Sequence, residues 1–222
     1  MRTRLAAGII TMTDLFRLLA WTSPSFPTGA FACSHGLEWA VEAGDVTDET
    51  SLRAWLEDVL THGAGYTDTI LLRHAHRGWR DVTALAELGC ALAPARERRS
   101  ETTALGAAFA AAATAWAPPP LPPACPYPVA LGALAGAYGL DEDATAAAAL
   151  QGLATNLISA AVRLVPLGQS AGLRVLAALE SVIGAVVTAT RSAALDDLGG
   201  AAFRSDLAAM RHETQYTRLF RT

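Results

Sequence analysis

The sequence predicts an all-α protein: a single compact multi-helix domain made of two packed helical halves joined by a proline-rich linker. Three observations carry that prediction. Apolar residues recur at spacings of three and four along most of the chain, and no stretch alternates apolar with polar at the period of a half-buried strand. The 222 residues are 52% hydrophobic, much of it alanine, which favours helix and close helix–helix approach. Residues 117–128, Ala-Pro-Pro-Pro-Leu-Pro-Pro-Ala-Cys-Pro-Tyr-Pro, exclude helix and suit an extended polyproline connection.

The elements follow in order. Residues 1–11 read as a disordered leader. Met12 is a natural start, with Thr13 or Asp14 capping a helix through Leu15, Phe16, Leu18 and Leu19. Residues 23–39 form a loop rich in proline, glycine and aromatics, a difficult turn or a surface built for binding. Thr47, Asp48 and Glu49 cap a helix whose stripe is Leu52, Trp55, Leu56, Val59 and Leu60. Another helix covers residues 65–80, with Ile70, Leu71, Leu72 and Trp79 apolar and Arg73, Arg77 and Arg80 solvated. Helices over 81–92 and 94–116 precede the proline stretch, and helices over 129–138 and 142–165 follow it, the second stopped by Pro166. Leu176, Leu179, Ile183 and Val186 make a further apolar seam, and Gly199-Gly200 breaks the chain before a last helix at 203–212. The domain therefore spans 12–211, and residues 212–222 are a polar, aromatic tail.

Charge and composition exclude several functions. A formal net charge of −4 argues against nucleic acid, which demands a basic face. All 17 basic residues are arginine, so there is neither a P-loop lysine nor a Schiff-base lysine. Cys33, Cys90 and Cys125 are far apart and never form a Cys-x-x-Cys pair, as suits a reducing compartment. The longest weakly polar stretch, 104–117, is too short for a bilayer. A soluble, cytoplasmic protein is expected.

The candidate chemistry is thin. His74 and His76, two apart on a helix, point to different faces and read as solvated. Cys33 and His35 offer two metal ligands without a third nearby, and His212-Glu213 lacks the second histidine of a zinc-protease helix. No catalytic, cofactor-binding or metal-binding residue is assigned. Three specialised surface elements remain: the 23–39 loop, where His35 and Glu38 fall i, i+3 if a helix begins near Ser34; the Arg163-Leu-Val-Pro-Leu-Gly-Gln169 break; and the tail, with His212 and Glu213 leading to Arg218, Leu219 and Phe220. A tail ending in Leu-Phe either docks on its own domain or waits for a partner.

These elements, in this order, resemble the urease accessory protein UreF family. The resemblance rests on Ser23-Pro24 through Phe26-Pro27-x-Gly29-x-Phe31, Ser34-His35-Gly36-Leu37-Glu38-Trp39, Trp55-Leu56, Asp68, Arg96-Glu97 through Ser100-Glu101-Thr102 with Gly106, Pro128-Val129-Ala130-x-Gly132, Arg163–Gln169 and Met210-Arg-His-Glu-x-x-x-x-Arg218-Leu219-Phe220. It implies an all-α, non-enzymatic chaperone without cofactor, a homodimer bridging the GTPase UreG and UreD (also called UreH) and docking on the urease apoprotein while nickel is inserted. His35, Glu38, Arg163, Gln169, His212, Glu213, Arg218, Leu219 and Phe220 are the partner-binding candidates. Deleting residues 212–222 is expected to abolish UreD binding and leave the helical fold intact. The rival readings are a metal-dependent enzyme using His35, His212 and a carboxylate, and an activator that inserts an arginine such as Arg163 at the GTPase phosphates.

Overall fold

Helix α1 (Met12–Trp21) is opened by Thr11, whose hydroxyl accepts the Asp14 N–H at 3.2 Å and donates to the Asp14 carboxylate at 2.6 Å. The cap therefore lies before Thr13 and Asp14, which occupy the first turn. In the computed structural model the described residues are 10–222; residues 1–9 of the expected leader lie outside them, whereas Ile10 packs on the core and Thr11 is structural.

The remaining helices are α2 (Leu37–Glu42), α3 (Glu49–His62), α4 (Ala64–Arg77), α5 (Thr83–Ala91), α6 (Arg96–Ala112), α7 (Tyr127–Tyr138), α8 (Glu142–Leu164), α9 (Gln169–Ala178), α10 (Glu180–Thr190) and α11 (Phe203–His212). Asp48 and Ser51 form a reciprocal capping box on α3, and all five residues of its apolar stripe are buried. Helix α8 ends just before Pro166, and the 176–186 seam is divided between α9 and α10 at Leu179. Among the described residues there is no strand.

Two hydrophobic cores lie side by side. One draws on α2, α3, α8, α9, α10 and α11, and includes Phe220 of the tail. The other joins α1, α4, α5, α6 and α7, with Leu140. The two packed halves are thus spatial, and the chain does not divide between them at the proline-rich stretch: α2 and α3 precede it and α8–α10 follow it, yet they share a core. Helix α8 is also longer than 104–117, and α8 and the combined α9–α10 stretch are each long and apolar enough to cross a membrane by length and composition alone. Here their apolar residues line the first core.

Helices α4 and α7 touch backbone to backbone. A Cβ on Gly132 would collide with the Leu72 carbonyl, and one on Gly136 with the His76 carbonyl. Small residues one turn apart thereby set the spacing of the second core.

Charge is buried where periodicity alone predicted solvent. Arg73 lies on the inner face of α4 and is 1% exposed. It donates to Glu142 (2.6 Å), Asp143 (2.7 Å), Thr190 Oγ1 (3.1 Å) and the Val187 carbonyl (2.7 Å). Its position three residues after buried Ile70 places it inside, and the acidic first turn of α8 supplies the acceptors. His74 and His76 are likewise half-buried rather than solvated, bonded to the Ala193 and Leu140 carbonyls. Arg77 remains exposed, as expected.

The helix spacing gives a direct prediction. Gly132→Ala should lower the unfolding free energy by about 2–3 kcal/mol in a urea titration, because neither carbonyl nor helix can yield. Gly184→Ala, on α10 where a Cβ meets open space, should be neutral or mildly stabilising in the same assay.

Candidate functional site

The loop after α1 is folded from within. Phe26 packs against Phe109 and Trp116, with ring centroids 5.4 and 6.1 Å apart. Gly29 turns left-handed, and a 3-10 turn at Ala30–Ala32 leaves the Phe31 ring 69% exposed. His35 and Gly36 then take consecutive positive φ angles of 60° and 78°. Gly36 is needed because a Cβ there would lie 2.6 Å from the Ala209 nitrogen, so the turn presses the start of α2 onto α11. Helix α2 begins at Leu37, not near Ser34, so His35 and Glu38 do not form an i, i+3 helical pair. They face different partners.

Glu38 is 7% exposed and accepts three hydrogen bonds: from the Leu219 N–H at 2.6 Å, the Phe220 N–H at 2.9 Å and His212 Nε2 at 3.1 Å. The other nitrogen of His212 lies 2.6 Å from Glu97, which also pairs with Arg218 at 2.8 Å. Glu213 accepts the Arg96 backbone N–H at 2.8 Å. The last residues continue along the loop: the Arg221 N–H reaches the Ala32 carbonyl at 2.8 Å, and Ser34 donates its N–H and hydroxyl to the Thr222 carbonyl at 2.5 and 2.8 Å. Phe220 is buried, its ring covered by the Arg163 guanidinium at 4.3 Å, and Arg163 also donates to the Phe31 carbonyl at 2.8 Å.

Eight of the nine candidates are therefore gathered where tail, loop and α6 meet, and Gln169 stands apart as the exposed first residue of α9. Of the two alternatives for the tail, the structure has it docked on its own domain. The expectation that truncation leaves the rest undisturbed changes accordingly, since loss of residues 212–222 strips a buried Glu38 of its donors and uncovers the Phe220 site. His35, Glu38, His212 and Phe220 are interior. Leu219 is 65% exposed, and Phe31, Arg163, Arg218 and Tyr216 are also exposed; these are the outward, or rim, residues of the loop, α8 and the tail.

Beneath the loop lies a charged partition that the residue pattern did not single out as a site. Arg98 and Glu101, three apart on α6, pair at 2.5 Å, and His35 Nδ1 sits 3.4 Å from Glu101. Burial opposes ionisation of Glu101, yet Arg98 and His35 hold its carboxyl well below the usual range. Burial, reinforced by Arg98 and opposed by Glu101, lowers His35 from its ordinary value. Asp68 on α4 is pushed up to about 6 by burial, with Arg98 opposing and Glu101 adding to the rise. Burial raises the Cys33 thiol to about 11, so it is a poor nucleophile or ligand. Two cavities of about 280 and 230 Å³ share His35, Asp68, Arg98 and Thr102 as a common wall. The first is bounded by Pro24, Phe31 and Asn156, the second by Gly63, Pro94 and Asp206. In sequence, Asp68, Arg96-Glu97 and Ser100-Glu101-Thr102 stand out only as residues that carry the family resemblance, and none of them is a site candidate. No three His, Cys, Asp or Glu residues converge as a metal-binding group among the described residues. His35 and His212 address different carboxylates.

The UreF family model matches residues 46–180. The chain is 55% identical over 208 residues to a urease accessory protein UreF of Cereibacter sphaeroides, covering 94% of this chain and 98% of that protein. The chain belongs to the UreF family. Other UreF proteins resemble it nearly as closely: one from a Bradyrhizobium species is 51% identical over 220 residues, covering 94% of this chain and 92% of its own, and one from Rhodopseudomonas palustris is 50% identical over 221, covering 94% and 93%. The family match stops at residue 180, so the α11 and tail half of the UreF site lies beyond it, whereas the full-length relatives align over most of the chain.

Asp68 gives a pH-dependent test of the partition. Its folded value near 6 exceeds the unfolded value near 3.8. As pH rises from 4 to 6 the unfolded chain releases this proton first, so the folded state loses stability and bears the full cost above pH 6. Asp68→Asn should therefore stabilise the protein at pH 7.5, by up to about 3 kcal/mol, and leave it nearly unchanged at pH 4. Chemical denaturation at the two pH values checks this.

Proposed function

We propose that this UreF chain acts in urease maturation as a non-enzymatic scaffold. In this reading it is a cytoplasmic homodimer that bridges the GTPase UreG and UreD/UreH and brings them to the urease apoprotein while nickel is inserted. The nucleotide chemistry belongs to UreG, and this subunit contributes shape. The observation that supports this best is the division of labour at the tail. Glu38 and His212 are used up in internal hydrogen bonds and Phe220 is buried, whereas Phe31, Arg163, Arg218, Tyr216 and Leu219 are exposed on the loop, α8 and the tail. A rim with aromatic and arginine side chains on a rigid base is what a binding hot spot requires.

The same geometry weighs against the rival readings. Arg163 is tied to the Ser159 and Phe31 carbonyls and lies over Phe220, so it lacks the freedom of an arginine finger. An enzyme built on His35, His212 and one carboxylate would need those groups to converge, and they do not.

Because truncation disturbs buried contacts, the test uses outward residues. Leu219→Asp and Tyr216→Asp should leave the thermal midpoint within about 2 °C of wild type, as surface changes usually do. They should nevertheless reduce capture of UreD, and of UreG through it, in co-purification followed by sizing. Undiminished capture by both variants, with the fold intact, contradicts the placement of the interface. Urease matured at normal yield in cells lacking the chain contradicts the function itself.

A further inference from the structure

His212 is fully buried between two carboxylates, with Glu97 of α6 at 2.6 Å from Nδ1 and Glu38 of α2 at 3.1 Å from Nε2. Each carboxylate is an acceptor. A neutral imidazole has one N–H and one lone pair, so it satisfies only one of them and turns its lone pair on the other. Both contacts are favourable only when the ring carries two protons. The charge balance agrees: Glu38 and Glu97 bring two negative charges to the ring, and the nearest cation, Arg218 at 2.8 Å from Glu97, compensates one.

These carboxylates are also what hold the tail. Glu38 receives the Leu219 and Phe220 N–H groups, and Glu97 receives Arg218. We propose that the His212 proton is the catch of a tail latch: the doubly protonated ring fastens residues 213–222 across α2 and α6, and loss of one proton releases them. Release withdraws Leu219 and Arg218 from the rim and opens the Phe220 site beside Arg163. The proposal is independent of which partner the rim meets.

The other charged groups around the catch are Arg211 on the same helix, Glu213 with Arg96 of α6, and Glu42 of α2, which accepts from Gln215 at 2.5 Å. Of the partition groups behind the loop, Glu101 also meets the end of the tail, accepting the Thr222 hydroxyl at 2.8 Å. Arg98 and His35 hold the Glu101 carboxyl well below the usual range, burial lowers His35 from its ordinary value, and Asp68 is removed from the titration by Asp68→Asn.

The test is an NMR pH titration of the full chain in the Asp68→Asn background, carried through the ordinary imidazole range and well above it. Amide protection factors at Leu219 and Phe220 should fall about tenfold or more as pH rises, with a one-proton midpoint that coincides with the titration of the His212 ring signals. Amides of Leu56 and Leu60 in α3 should keep their protection, which marks the change as local. His212→Gln retains one donor and should show the weakened, pH-independent tail. Constant protection at Leu219 and Phe220 while the His212 ring titrates overturns the proposal. So does a neutral His212 ring at a pH where the tail is still fully protected. The wild-type ring and tail signals decide the matter even if His212→Gln fails to fold.

Discussion

Glu38 brings a charge into a region almost closed to water, and the chain must provide every donor that keeps it there. A buried carboxylate without partners costs several kcal/mol, and here it receives two backbone N–H groups and an imidazole from a segment some 180 residues later. One interaction therefore closes the fold on itself. It fixes the end of the tail and the register of Thr222 against Ser34, and it sets Phe220 beneath Arg163. The outward rim exists because this inner carboxylate is satisfied.

The helices are arranged to make that closure possible. The His35-Gly36 turn brings α2 directly against α11, so Glu38 and His212 meet across a contact too tight for any side chain at position 36. Helix α6 presents Glu97 to His212 and Arg218 and Arg98 with Glu101 to the partition between the cavities, and Glu101 also accepts the Thr222 hydroxyl, so α6 serves both the tail and the partition. Behind them, the glycine contact between α4 and α7 holds α4, and hence Asp68, in place. Packing in the second core thus reaches the charged site through α4.

Much of this was legible in the residues. The α3 stripe, the proline stop after α8 and the all-helical architecture follow from local spacing, since each depends on neighbours within a turn or two. Eight of the nine candidate residues also lie where tail, loop and α6 meet, although His35 and His212 address different carboxylates. What sequence spacing concealed is long-range. Arg73 reads as a solvated arginine because its acceptors on α8 and α10 lie far along the chain. The tail has no helical periodicity, since its order comes from backbone donors meeting Glu38 rather than from an apolar face. Glu97, Arg98 and Glu101 look like routine helix-start charges until α11 and the loop are folded against them. Gly132 and Gly136 carry no local signal that they face a neighbouring backbone.

The most direct measurement is a thermodynamic cycle between Glu38→Gln and deletion of residues 219–222, read by urea denaturation. If Glu38 and the tail depend on each other, Glu38→Gln destabilises the full chain by about 2 kcal/mol or more. In the shortened chain, where the carboxylate has already lost both backbone donors and keeps only His212, the same substitution costs clearly less. Equal costs in the two backgrounds would show that the carboxylate and the tail act separately, and the account of the site would fail with that result.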